Sequence, residues 1–422
     1  MLGRVGCAVV MAASVVVGSA APAVGAAPST QRVSVSSAGA EANGASGEGG
    51  VAISANGRYI AFISDASNLV PGDGNGVADV FVRDTRLHTT ERVSVSSAGV
   101  EGNGATIDQG LAISPDGRFV TFTTFATNLV PACPASCGFV YIRDRKAGTT
   151  RQIRTFPFGA RVPVHILVSL GARFFAFDTV DSGKVKRCRG LGPGGCVTVS
   201  LLPPSVKLND RDRPDVSLGG MSAGGRFVLF RKAGVSAPPA PPRRLGGIFV
   251  RDVAGGTTRT VSRHVNDIAS AISPQGRYVL VTSRSSEGVP HDTNRSRDVF
   301  VMDGATGAIH RISLSSSEHQ ANGSSFGIAI SDHGRYCLFS STATNLVPGD
   351  TNGKRDLFLR DRTLGTTVRV DVSTSGAQAN GPIRLAALSG DGRWAAWSSP
   401  ATNLVPGDTN TVRDIFARAP LH

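Results

Sequence analysis

The chain repeats one short pattern of strands along nearly its whole length, and this repeat limits the folds that it can adopt. Each copy has an apolar strand, a turn that ends in arginine and a second apolar strand, as in residues 53–62 and 113–122. A third strand and a Gly-Thr-Thr-like turn then lead to a fourth strand, such as residues 92–96. Apolar runs and alternation of this length are typical of β-strands. The turn arginines follow one another at intervals between 51 and 60 residues: Arg58, Arg118, Arg173, Arg226, Arg277, Arg335 and Arg393.

Four short antiparallel strands at this period are typical of a propeller blade, so we predict an all-β fold, a seven-bladed β-propeller. Residues 31–36 match the fourth strand of a blade and residues 414–418 match the third. We therefore expect the N-terminal strand to close the ring and to cover two sheet edges. The predicted blades of this single domain, 31–422, are residues 47–97, 108–155, 162–210, 214–263, 266–316, 325–374, and 382–418 with 31–37.

The N-terminus has the layout of a secretory signal peptide. A short positive start is followed by an apolar run to Val17 and by small residues that end at Ala26. We predict a signal peptide over residues 1–26 and a secreted or cell-surface protein. No later segment approaches the ~20 apolar residues of a membrane-spanning helix. A closed ring also needs no second copy, so we expect a monomer.

Several segments resemble a known family. The Ser-Pro-Asp-Gly-Arg hairpin of residues 114–118 resembles the WD-like repeat of TolB-like β-propellers. Residues 343–352 and 401–410 are similar to segments of its exported bacterial members. The resemblance implies the propeller fold and roles as docking modules, scaffolds or sensors. It implies no particular activity, because one fold serves many functions.

Four blades carry an Asp-x-Asn-x-x-x-Asp loop between the second and third strands. Oxygen ligands at alternate positions are typical of the start of calcium loops, although the closing bidentate glutamate is missing. The alternative interpretation is an Asx-turn, in which each Asp or Asn caps its own backbone. Both remain open from the sequence, and calcium is the one cofactor that we consider. The candidate ligands are Asp73, Asn75, Asp79, Asp292, Asn294, Asp298, Asp350, Asn352, Asp356, Asp408, Asn410 and Asp414.

Two blades have cysteine pairs where four others have the Asp-Asn loop. Cys133 and Cys137 precede one third strand, and Cys188 and Cys196 stand in the next blade. In an exported protein these pairs predict local disulfides, with zinc as the rival interpretation for the first pair. Cys337 lies inside an apolar strand, so we expect it to be a buried thiol.

Arginine recurs at two further places in the repeat. One series follows the hairpin turns, and another precedes the Asp that ends the third strand: Arg83, Arg143, Arg251 and Arg360. We expect both series on the face opposite the Asp-Asn loops. They either pair with Asp, as Arg58 with Asp84, or form a basic ring that attracts anionic polymers. Nucleic acid is disfavoured, because the predicted export separates the protein from it and aromatic residues do not lie among the basic loops.

No convincing catalytic arrangement is present. Ser222 fits a Gly-x-Ser-x-Gly string, but it aligns with the ordinary blade hairpin rather than with a strand-to-helix turn. His165 is a lone candidate near the central channel. Our leading hypothesis is an exported, non-enzymatic module that binds a protein or an anionic envelope polymer through the face of the Asp-Asn loops. The alternative is an extracellular lyase or hydrolase that acts on a polysaccharide or lactone at the channel.

Overall fold

A computed structural model describes residues 27–107, 110–130, 137–157, 166–179, 184–189, 196–198, 216–232, 246–264, 267–284 and 292–422. Its strands pair antiparallel in sheets of four. Among the described residues, no helix is long and apolar enough to cross a membrane. In the part of the chain that the structure describes, two short 3-10 turns are present, Leu170–Ala172 and Asp332–Gly334.

The sheets follow one another along the chain, each beginning with its innermost strand. Sheet 1 contains β2 (Ser46–Ile53), β3 (Tyr59–Ser64), β4 (Asp79–Asp84) and β5 (Thr89–Arg92). Sheet 2 contains β6 (Ala112–Ile113), β7 (Phe119–Thr124), β8 (Cys137–Asp144) and β9 (Thr149–Pro157). Sheet 3 contains β10 (Ile166–Val168), β11 (Phe174–Thr179), β12 (Lys184–Arg189) and β13 (Cys196–Thr198).

The same order continues to the C-terminus. Sheet 4 contains β14 (Val216–Met221), β15 (Phe227–Lys232), β16 (Gly247–Asp252) and β17 (Thr257–Ser262). Sheet 5 contains β18 (Ile268–Ile272), β19 (Tyr278–Ser283), β20 (Asp298–Asp303) and β21 (Ile309–Arg311). Sheet 6 contains β22 (Ser325–Ile330), β23 (Tyr336–Ser341), β24 (Asp356–Asp361) and β25 (Thr366–Arg369). Sheet 7 joins β26 (Ala386–Leu388), β27 (Ala395–Ser399) and β28 (Asp414–Ala419) to β1 (Ser29–Arg32).

The expected seven equivalent blades require a correction. Six sheets are blades of the repeated kind, because their first hairpin carries a glycine at positive φ against an aromatic ring of the preceding sheet. Sheet 3 departs from this pattern, since its hairpin passes through a 3-10 turn in which Ala172 takes the positive φ. An alanine brings a side chain to a position that favours glycine. The number of blades that obey the repeat is therefore six, and the prediction of seven was wrong. The six glycines are Gly57, Gly117, Gly225, Gly276, Gly334 and Gly392.

The two ends of the chain meet in sheet 7. β1 pairs antiparallel with β28, so that Ser29 lies opposite Ala419 and Arg32 opposite Phe416. Val33, which follows β1, is buried in a core shared with Ile415 and with Phe62 of sheet 1. Outer strands end earlier than expected, at Arg32 and Arg92. The next residue still donates to the third strand, and the segment then turns to the next sheet, where Thr90 donates to the Val35 carbonyl.

The core lies between neighbouring sheets. Apolar side chains of the second and third strands are almost fully buried, as expected for strands covered on both faces. In five sheets an aromatic residue of the second strand lies beside one of the third, with ring centroids 5.5–6.1 Å apart. These pairs are Phe62–Phe81, Phe122–Tyr141, Phe230–Phe249, Phe339–Phe358 and Trp397–Phe416.

The first strands surround a central axis. Each contacts the first strand of the next sheet, and β26 contacts β2. These strands are built mainly from glycine, alanine, serine and aliphatic residues. Small side chains let neighbouring inner strands approach closely, and they leave a channel wall with few charges.

Candidate functional site

The Asp-Asn loops fold on their own backbone. In sheet 1 the Asn75 carboxamide oxygen accepts from the Val77 amide at 2.9 Å, and its nitrogen donates to Asp79 at 2.8 Å. The same nitrogen donates to the Gly102 carbonyl, 2.9 Å away in the connection to sheet 2. Asn294, Asn352 and Asn410 repeat all three bonds. The Asx-turn interpretation is therefore confirmed for the four asparagines.

A buried arginine of the outer strand lies among the carboxylates of these loops. In sheet 1 the Arg92 Nη1 is 3.3 Å from both Asp73 and Asp79 and also contacts Glu101. In sheet 7 Arg32 contacts Glu41, Asp408 and Asp414 in the same arrangement. The side chains of Arg92 and Arg32 are 9% and 7% exposed. A guanidinium thus occupies the position that a cation between these carboxylates would take.

The other two loops have a glutamine where sheets 1 and 7 have the glutamate, and in sheet 6 the buried Asp371 adds a carboxylate beside Asp356. Gln320 replaces the glutamate in sheet 5 and donates to Asp292 at 2.9 Å and to Asp298 at 2.7 Å. In sheet 6 Gln378 contacts Arg369, whose guanidinium lies 3.0 Å from Asp350 and 3.3 Å from Asp356. Sheets 1 and 7 therefore place three carboxylates around one arginine, and sheets 5 and 6 have a neutral amide in place of the glutamate. The ligand set for calcium stays a prediction.

Burial dominates the titration of these carboxylates. Desolvation raises the pKa of Asp414 to about 6, against the opposing effects of the Ser34 hydroxyl and Arg32. Desolvation also raises the pKa of Asp73 to about 6, and the Asp79 charge adds to it. Removing a carboxylate from water disfavours its ionised form. At neutral pH these carboxylates are ionised although they are partly buried, and this lowers the stability of the folded state.

The opposite face has the expected Arg–Asp pairs. Arg58 donates from Nε and Nη2 to both oxygens of Asp84, and four other sheets repeat the pair. The hydrogen bond from Arg226 is the main cause that lowers the pKa of Asp252 to about 2. Arg393 has no such partner, because Ala419 stands where the Asp would be. Pairing reduces the free positive charge of this face, which disfavours a basic ring there. The repeats are Arg118–Asp144, Arg226–Asp252, Arg277–Asp303 and Arg335–Asp361.

The second arginine series is buried at Arg83 and Arg360 and half-buried at Arg143 and Arg251. Arg83 donates to Thr90 at 3.0 Å and to the Ser36 carbonyl at 3.1 Å, in the segment that leaves the preceding sheet. Arg143 and Arg360 make the equivalent bonds. Arg83, Arg143 and Arg360 thus fasten one sheet to the next, which disfavours the alternative that this series contributes to an exposed basic ring.

A different group of arginines stands at the loop end of the channel, and the sequence reasoning missed it. Arg297, Arg355 and Arg413 each precede a third strand, and each carbonyl accepts from the start of the next sheet's inner segment. The guanidiniums of Arg355 and Arg297 lie 4.7 and 5.9 Å from the centroid of the Phe326 ring. Arg413 pairs with Glu48 at 2.9 Å. We call Arg297, Arg355 and Arg413 the channel-mouth arginines.

Other predicted site residues are only partly within the described chain. Cys133 and His165 lie outside the described residues, so the disulfide to Cys137 and the channel histidine remain predictions. Cys188 and Cys196 are opposite each other as register partners of β12 and β13. Cys337 is buried within a strand, and burial raises its thiol pKa to about 12. This confirms the expected buried core thiol.

Comparisons with solved structures identify other propellers. The propeller domain of the Trilobed protease from Pyrococcus furiosus has a TM-score of 0.55 and 10% identity, over 89% of this chain and 93% of that one. An oligogalacturonate lyase in complex with manganese has a TM-score of 0.55 and 11% identity, over 93% of both chains. TolB from Acinetobacter baumannii has a TM-score of 0.40 and 12% identity, over 69% of this chain.

These similarities concern architecture. The matched part spans 59% of the TolB chain. No family model matches the sequence, and no curated protein matches it. At 10–11% identity the neighbours with TM-scores of 0.55 show a β-propeller fold alone, and the resemblance stated from the sequence is confirmed only as far as this fold.

Proposed function

We propose that the protein is an exported binding module that holds an anionic polymer of the cell envelope at the loop end of its channel. The observation that carries the proposal is the set of channel-mouth arginines. Arg297 and Arg355 lie against the same ring, Phe326, so two guanidiniums belong to one small surface. Arginine is well suited to carboxylate and phosphate groups, because its planar guanidinium makes paired hydrogen bonds.

The surrounding surface supports binding in preference to chemistry. The inner strands β14, β18, β22 and β26 contain no charged residue. Their small and aliphatic side chains suit a surface that a polymer contacts, and they provide no group that could act as a general acid or base. This favours the binding module over the lyase or hydrolase alternative.

A charge-matched pair of variants tests the proposal. Arg355→Gln removes one positive charge from the channel mouth, and Arg118→Gln removes one from the opposite face. We expect Arg355→Gln to weaken binding of the mature protein to polygalacturonate and to a polyphosphate by roughly three- to tenfold. Arg118→Gln should leave both affinities within about twofold.

Salt provides a second readout. Binding should weaken as NaCl rises from 50 to 500 mM, and Arg355→Gln should reduce this dependence. Equal losses for the two variants would refute the assignment to the channel mouth, and so would binding that does not respond to salt. Export has its own test, because N-terminal sequencing of protein from the culture medium or envelope should begin at Ala27.

A further inference from the structure

The first hairpin of sheet 7 differs from the first hairpins of five other sheets. In those five, the arginine that ends the turn pairs with the aspartate at the end of the third strand. Its guanidinium lies 4.8–5.0 Å from the centroid of the aromatic ring that follows it in sequence. The aspartate holds the guanidinium over the ring, because two parallel hydrogen bonds fix the geometry of such a pair. The stacked pairs are Arg58–Tyr59, Arg118–Phe119, Arg226–Phe227, Arg277–Tyr278 and Arg335–Tyr336.

Sheet 7 has an alanine in place of this aspartate. Arg393 and Trp394 are the arginine and the ring of its hairpin, and Ala419, which is 8% exposed, stands where sheet 1 has Asp84. The Arg393 guanidinium makes no ion pair, hydrogen bond or ring contact with any residue that the structure describes. Without the carboxylate, no group draws this exposed guanidinium over the indole. The loss of one acidic side chain therefore leaves a free cation beside an aromatic ring.

A second cation that covers this kind of ring is also missing. At two other junctions an arginine of the next sheet stacks on the equivalent ring, as the Arg145 guanidinium does 4.3 Å from the centroid of Tyr59. The corresponding residue of sheet 1 is Thr85, whose hydroxyl donates to the Gly57 carbonyl at 3.3 Å. The backbone of Gly57 lies against one side of the half-buried Trp394 indole. Sheet 7 therefore meets sheet 1 through an indole that has no described guanidinium on it.

Exposed polar side chains stand close to this indole. Asn56 belongs to the facing hairpin of sheet 1, and Asp391 lies two residues before Arg393. The Asp391 amide donates to the Ala55 carbonyl at 3.1 Å, so the tips of the two hairpins are adjacent. The Asn56 carboxamide oxygen accepts from the Arg58 amide within its own turn, which leaves the carboxamide nitrogen as a donor for other partners. Hydroxyl groups near the indole would thus find hydrogen-bond partners, and an anion would be attracted to Arg393.

We propose that the first hairpins of sheets 7 and 1 form a binding site for an acidic sugar residue, with a hexuronate ring on Trp394 and its carboxylate on Arg393. The ligand carboxylate takes the role that the aspartate has in five other sheets, because a guanidinium binds a carboxylate through paired hydrogen bonds. A pyranose has an apolar face of C–H groups and a rim of hydroxyls, which suits an indole bordered by polar groups. An inorganic phosphate would leave the indole without a partner.

The site lies on the face opposite the channel-mouth arginines, and it does not depend on the function proposed above. Tryptophan fluorescence reports on it directly, because the chain has 2 tryptophans and the other one, Trp397, is 0% exposed. Titration of the full mature chain with D-glucuronate at constant ionic strength should change the emission saturably, with a Kd of roughly 1–10 mM. D-Glucose, the neutral counterpart, should bind about three- to tenfold more weakly. Arg393→Gln should weaken D-glucuronate by about the same factor and leave D-glucose unchanged.

Ala419→Asp supplies the carboxylate that the other sheets have. It should draw Arg393 over Trp394, protect the indole from quenching by acrylamide and weaken D-glucuronate by about tenfold or more. Asp84, at the equivalent position of sheet 1, is 5% exposed, so the fold accommodates an aspartate there. Trp394→Phe keeps an aromatic ring at this position, and calorimetry should show weaker binding of both sugars because the smaller ring offers less stacking area.

Arg355→Gln, at the channel mouth, is the matched control, and it should leave the response to D-glucuronate unchanged. Loss of the response in this variant would place the sugar at the channel mouth and overturn the proposal. The proposal is also overturned if neither fluorescence nor calorimetry of the wild type shows saturable binding up to about 50 mM. Unchanged affinity in folded Ala419→Asp, or equal affinities of the wild type for D-glucuronate and D-glucose, would overturn it as well.

Discussion

A methyl group at Gly117 should weaken folding through a specific contact between two blades. Gly117 has a φ of +72°, and a Cβ there would lie under 3.0 Å from the ring of Tyr59 in the preceding sheet. Gly72 has the same φ, but a Cβ there would meet nothing within 4 Å. The two glycines therefore share the backbone requirement and differ in the ring contact.

The expected magnitudes follow from these two terms. An alanine at positive φ costs about 1 kcal/mol, and this is the whole effect expected for Gly72→Ala. Gly117→Ala must also displace the Tyr59 ring, which the Arg145 guanidinium covers at 4.3 Å. Overpacking of this kind costs about 1–3 kcal/mol, so the total loss of unfolding free energy should be about 2–4 kcal/mol.

Urea unfolding followed by circular dichroism measures both variants. Tyr59→Leu in the Gly117→Ala background should recover about 1 kcal/mol or more relative to the sum of the single changes, because it removes the ring atoms that clash. The reasoning fails if Gly117→Ala and Gly72→Ala destabilise the protein equally, or if the double variant shows no coupling.

Two further predictions concern the carboxylate clusters. Because the folded-state pKa of Asp414 is raised to about 6 from 3.8, its contribution to stability is largest below pH 4 and is lost as the pH rises through 6. The unfolding free energy of the wild type relative to Asp414→Asn should therefore fall by up to about 3 kcal/mol between pH 4 and pH 7, and a constant difference would contradict this. Arg92→Gln leaves Asp73, Asp79 and Glu101 without their guanidinium, so we expect millimolar calcium to raise the melting temperature of this variant. Arg311→Gln, beside the neutral Gln320, should respond less, and equal responses in a calorimeter with and without chelator would argue against calcium at these loops.

Local chemistry was predictable from the sequence where its signals lie within a few residues of one another or recur at the same place in each repeat. The Asx-turn at Asn75 depends on an amide two residues away, and the Arg58–Asp84 pair repeats visibly along the chain. The position of Arg92 was not predictable in this way. It reaches Asp79 only because β5 pairs with β4, where Arg92 lies opposite Phe81.

The sequence was less informative about where each outer strand ends and about how closely the blades resemble one another. The outer strands end at Arg32 and Arg92, and the backbone amides of the next residues, Val33 and Val93, still donate to the third strand of their own sheet. The segment then turns to the next sheet, where the Thr90 hydroxyl donates to the Val35 carbonyl. In sheet 3 the hairpin keeps its positive φ at residue 172, but the residue there is alanine instead of glycine. Only six of the seven expected blades therefore share the repeated hairpin. The channel-mouth arginines became recognisable only when Phe326 placed two of them on one ring.

Sheet 7 draws its strands from both ends of the polypeptide, and this has a consequence for the order of assembly. Ser34 donates to Asp414 across 380 residues of chain. This pairing can form only when the strands between the two segments have brought them together. Removal of β1 would leave β28 as the open edge of sheet 7, while the other six sheets would keep all four of their own strands.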